Sequence, residues 1–133
     1  MILLDTNVLV ALVLPKDRLH ERAASDLERL ARQELRVLPS VMTEVCFLLD
    51  ERAQRGRLSE LLTAIRAGPA VEPPWERVFQ WLARYAEHEP DWTDGCLVVS
   101  ATRDQRVWTY DHEFRAVWRR LDGSRVPLAV SQR

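Results

Sequence analysis

Lysine is nearly missing from this chain. Lys16 is the single lysine among 19 basic residues, so lysine-centred chemistry has one candidate. Positive charge is not in excess either: 20 acidic residues leave a formal net charge of -1 and a pI near 6.3. No global basic field exists to grasp a polyanion, and any such ligand must be held locally. Cysteine is scarce. Cys46 and Cys96 stand in apolar helical stretches and form neither a C-x-x-C pair nor a disulfide framework, so they read as buried thiols of a reducing compartment. His20 and His88 lack metal-ligand spacing and read as surface residues. The apolar run that opens the chain is broken by Asp5 and Asn7 and has no basic start. Neither a signal peptide nor a membrane span is expected, and the cytoplasm is the expected location.

What is present is enough for one domain over residues 1–133, since 47% of the residues are hydrophobic. Ile2 to Leu4 suits a buried strand, and Val8 to Leu14 a helix stopped by Pro15. Leu19, Ala23, Leu27 and Leu30 recur at helical spacing through a charged segment. Residues 36–38 read as a second strand, 41–55 as a helix ending near Gly56, and 58–67 as another helix. A weak strand over 70–72 precedes helices over 75–87 and 94–103. A strand over 107–110, a helix over 112–120, a turn at Asp122-Gly123 and an edge strand over 127–130 follow. Short apolar strands alternating with helices predict an α/β fold, a three-layer α/β/α domain around a mainly parallel sheet of four to five strands. In such sheets ligands bind outside the carboxyl ends of the strands.

Four acids stand at that edge in positions that packing does not ask for. Asp5 directly follows the first strand and precedes an apolar helix, and Asp111 follows the strand ending at Tyr110. Glu44 falls on the apolar stripe of its helix with Val41 and Leu48, and Asp94 begins the stripe continued by Leu97, Val98 and Ala101. Each has a plain alternative, a turn, a cap or complementation of a helix dipole. Together they would repel: two like charges about 4 Å apart cost roughly 4 kcal/mol at an effective dielectric of about 20. Protonation or a cation must relieve that. An all-oxygen set suits Mg²⁺ or Mn²⁺ rather than Zn²⁺, and such a cation activates water for attack on phosphorus.

The segments Leu4-Asp5-Thr6-Asn7-Val8, Glu44 early in a helix, Asp91-Trp-Thr-Asp94-Gly-Cys, and Thr109-Tyr-Asp111-His-Glu-Phe114 resemble, in order and spacing, those of PIN-domain proteins of the VapC-like toxin type. The resemblance implies a Mg²⁺- or Mn²⁺-dependent endoribonuclease with Asp5, Glu44, Asp94 and Asp111 as catalytic metal ligands. It also implies an RNA substrate, a VapB-like antitoxin partner and a homodimer. Asn7 and Thr109 match polar positions that orient such carboxylates. Asp91, one turn before Asp94, and Arg115, in the cationic stretch after Asp111, are supporting candidates, Arg115 for phosphate. Gly95 stands where the family usually has alanine, at some cost in helix propensity. A catalytically silent PIN-like protein- or RNA-binding module is the alternative reading.

Overall fold

The computed structural model describes residues 1–131. Four parallel strands form one sheet in the order β3-β2-β1-β4: β1 (Ile2–Leu4), β2 (Leu35–Val37), β3 (Gly68–Pro69) and β4 (Arg106–Trp108). Among the described residues seven α-helices flank it: α1 (Thr6–Val13), α2 (His20–Leu30), α3 (Pro39–Leu48), α4 (Arg52–Ala64), α5 (Trp75–Arg84), α6 (Trp92–Ser100) and α7 (Glu113–Ala116). This is the expected three-layer α/β/α architecture. β1 is buried along its whole length because both sheet faces are covered, which is why it is apolar without alternation. Residues 127–129 add a single parallel bridge, Val107 to Leu128, in place of the expected edge strand.

Other boundaries differ from the sequence pattern too, three of them for reasons that the contacts show. The helix expected over 41–55 ends at Leu48, and α4 starts at Arg52 under a capping box in which Glu51 and Gln54 exchange bonds with each other's backbone. Gly56 therefore lies inside α4, exposed and free of close neighbours, where it costs about 1 kcal/mol of propensity and ends nothing. The third strand falls at Gly68–Pro69 rather than 70–72, and the Arg36 guanidinium donates to the Pro69 carbonyl at 2.8 Å. The last helix stops at Ala116 because α5 captures the chain beyond it: Tyr85 Oη accepts from the Arg119 N–H at 2.9 Å, and Trp81 Nε1 donates to the Arg119 carbonyl at 2.7 Å. That turn buries Trp118 against Trp81 and Tyr85. α5 and α6 approach closely at Gly95, where a Cβ would stand 3.0 Å from Val78 Cγ1. His20, expected at the surface, is half-buried with Nδ1 2.7 Å from the Ala11 carbonyl.

Candidate active site

The site is built where β1 and β4 end side by side. Leu4 pairs with Trp108, and the ladder runs one residue further through Asp5 N–H to the Trp108 carbonyl. Asp5 thereby leaves the sheet beside Thr109, and its side chain caps α1 by accepting from Thr6 N–H at 2.7 Å. Its other oxygen accepts from Thr109 Oγ1 at 2.7 Å and from Asn7 Nδ2 at 3.3 Å. Asn7 ties the two strand ends together, donating also to Thr109 Oγ1 and accepting from Tyr110 N–H at 3.1 Å. The Thr109 hydroxyl, wholly buried, accepts from Asp111 N–H at 3.0 Å. Asp111 in turn accepts from Glu113 N–H at 3.0 Å at the start of α7. The donors to Asp5 stand at the two strand ends, so its carboxylate is fixed by one main-chain N–H and two side chains.

The opposite wall comes from helices. Asp91 caps α6, accepting from Asp94 N–H at 2.8 Å, while Asp94 Oδ2 accepts from Asp91 N–H at 3.3 Å, a capping box closed by two acids. Glu44, half-buried on α3, completes the enclosure. Asp5, Asn7, Glu44, Asp91, Asp94 and Asp111 line one cavity of about 330 Å³. All four predicted acids and three of the supporting residues are thus brought together, Asn7 and Asp91 in the lining and Thr109 behind it on Asp5. Arg115 is not: it is exposed and lines a separate cavity with Arg125. Trp92, beside Asp94 in sequence, packs edge-on against Phe79 at 5.0 Å. Asp17 also lines the acid cavity, at the turn after α1, where no periodicity marked it.

The electrostatics follow from this crowding. Burial pushes the Asp5 carboxyl up to about 6, aided by the Glu44 and Asp111 carboxylates and opposed by the bonds from Thr109 and Thr6. Asp94 is pushed up to about 8, by burial first and then by the carboxylates of Asp91, Asp5 and Asp111. Among the described residues no cationic side chain lines the cavity. Among the described residues no three His, Cys, Asp or Glu side chains stand close enough to enclose a metal between them. The donor set nevertheless fits a hard cation of the Mg²⁺ kind, which keeps several waters and needs only one or two carboxylates rather than a closed cage. Thr6 Oγ1 is buried without a hydrogen-bond partner among the described residues.

A family model of the PIN domain matches residues 2–119, and the chain belongs to that family. No curated protein matches the sequence. Among solved structures, the fold is similar to that of Mycobacterium tuberculosis VapC20, a sarcin–ricin loop cleaving toxin, with a TM-score of 0.55 and 24% identity. That match covers 72% of this chain and 77% of VapC20.

Proposed function

We propose that this protein is a divalent-metal-dependent endoribonuclease, the toxin of a VapBC-like toxin–antitoxin pair, acting as one domain over residues 1–133 in the cytoplasm. The observation that carries this reading is the set of four carboxylates lining one cavity at the carboxyl edge of a PIN-domain sheet. Asp5, Glu44, Asp94 and Asp111 would hold Mg²⁺, or Mn²⁺. When bound, the cation supplies neutralisation of the charge developing on the phosphate oxygens and a water of lowered pKa. The chain's own polar groups do the positioning: Thr109 and Asn7 hold Asp5, and the N–H of Asp91 orients Asp94.

The partners are part of the same proposal. RNA as substrate and a VapB-like antitoxin are supported by the family resemblance and by the VapC20 likeness. A homodimer is supported by an uncovered apolar face on α3 and α5, where Phe47, Trp75 and Phe79 are 81%, 72% and 61% exposed. A contiguous patch of large apolar side chains on a small domain marks an association surface.

Cleavage of RNA by the purified protein with added Mg²⁺, abolished by EDTA and reduced more than about 100-fold in Asp5→Asn, is the expected result, since replacing a supporting residue of a metal site alone costs 10–100-fold. Undiminished cleavage in EDTA or in Asp5→Asn would sink the metal mechanism. Absence of cleavage by the wild-type protein under all metal conditions would favour the silent binding module.

A further inference from the structure

The acid cavity has no means of its own to attract a polyanion. It is walled by carboxylates, and the chain as a whole carries a formal charge of -1. A strand of nucleic acid that reaches it must be gripped by cations beside it, because phosphate contacts supply most sequence-independent affinity. Three cavities of the molecule are lined by pairs of cationic side chains. Arg115 and Arg125 line one, Arg77 and Arg120 a second, and Lys16 and Arg57 a third of about 450 Å³. Of these three, the Lys16–Arg57 cavity shares a wall with the acid cavity, through Asp17.

The local fold explains why these two residues meet. α1 ends at Val13, Leu14 caps it, and Asp17 N–H closes a turn onto the Leu14 carbonyl at 3.0 Å. This turn is the one place where the chain spends its lysine. α4 packs against α1 and contributes Arg57 from its exposed side. Asp17 shares this lining and offsets part of the charge of the pair, but it forms no ion pair with either cation, and its Oδ1 accepts from Leu19 N–H at 2.8 Å to start the approach to α2. Both cations are exposed, and neither forms an ion pair among the described residues. Arginine and lysine kept unpaired beside a carboxylate-lined cavity are suited to phosphate oxygens at that spot.

We propose that Lys16 and Arg57 form a phosphate subsite that binds the backbone of a single-stranded RNA segment adjoining the acid cavity. This rests on the ribonuclease reading for the identity of the strand, and the test separates the two. Binding of a labelled single-stranded RNA oligonucleotide is followed by anisotropy in EDTA across a range of salt, so that no cleavage is involved. In Lys16→Gln and in Arg57→Gln the slope of log affinity against log salt falls by about 0.7 each, and by about twice that in the double variant. Lys16→Arg keeps the wild-type slope, and Arg115→Gln leaves it unchanged.

A double variant with the wild-type slope, or a slope change carried by Arg115 instead, overturns the subsite. So does an unchanged RNA slope combined with loss of a co-purifying acidic protein segment, which assigns the cavity to a protein partner. Wild-type cleavage together with a wild-type salt slope in the double variant refutes the subsite and keeps the nuclease. Slope changes as expected, without cleavage in any metal, keep the subsite and refute the nuclease.

Discussion

Two walls of one cavity hold their aspartates differently. Asp5, at the end of β1, is only 6% exposed, yet its carboxyl is pushed no higher than about 6. Asp94, on the first turn of α6, is more open to solvent and is pushed to about 8. Burial alone would order them the other way. The strand wall surrounds its acid with donors, namely the hydroxyl of Thr109, the amide of Asn7 and the N–H of Thr6. The helix wall pairs its acid with another acid, Asp91. Burial raises both carboxyls most, and what each is bonded to or faces then sets their order.

The sharpest way to break this contrast is Thr109→Val, which keeps the buried volume and removes the short bond to Asp5. The Asp5 carboxyl then rises toward the behaviour of Asp94, and divalent-metal affinity and RNA cleavage fall about 10–100-fold, as for other groups that orient metal ligands. Calorimetric metal titration beside a turnover assay checks it. Unchanged metal affinity would mean that the donors of the strand wall do not set the state of Asp5.

A smaller effect is expected in stability. Both carboxyls bind protons more tightly folded than unfolded, the ordinary value being 3.8. The native state therefore holds excess protons above that value, and stability from these groups is full below it and lost as pH rises through about 6 and then about 8. In EDTA the melting temperature should fall across this window. Asp94→Asn should flatten the part between about 6 and 8 and reduce the slope below it, and millimolar Mg²⁺ should flatten both. A melting profile in EDTA identical for wild type and Asp94→Asn would remove the helix wall from the comparison.

The smallest effect concerns what holds the helix wall in place. Gly95→Ala gains helix propensity but forces a methyl to 3.0 Å from buried Val78, and a net loss of about 1 kcal/mol is expected from overpacking. Thermal melts measure it, and an increase in stability would mean that α5 yields.

Much of the helix wall and the strand wall could be read from the residues. Asp5 ends an apolar run, and Glu44 and Asp94 interrupt apolar stripes, so local pattern sufficed to single them out. The bonds that distinguish the two walls could not be read so, because Thr109 reaches Asp5 across 104 residues and Asn7 reaches Tyr110 across 103. Gly95 looked like lost propensity, while its reason is a helix contact made by Val78 and Trp81. The break between α3 and α4 had a local signal in Glu51 and Gln54, outweighed by the more conspicuous Gly56. The stop of α7 had none, since its cause is Trp81 and Tyr85 at the end of α5, 38 and 34 residues from Arg119.

The two-residue strand at Gly68–Pro69 has a consequence for how the molecule associates. A sheet edge normally offers a row of open amides on which a foreign strand can grow, the route to runaway stacking. Here the outermost strand contributes a proline, which has no amide to offer, and the Arg36 guanidinium occupies its carbonyl. At the far side, Val107 spends its outer amide and carbonyl on Pro127 and Ala129. With both rims blunted against strand addition, the sheet offers no ladder on which copies could stack, and any surface for association is left to side chains on helices.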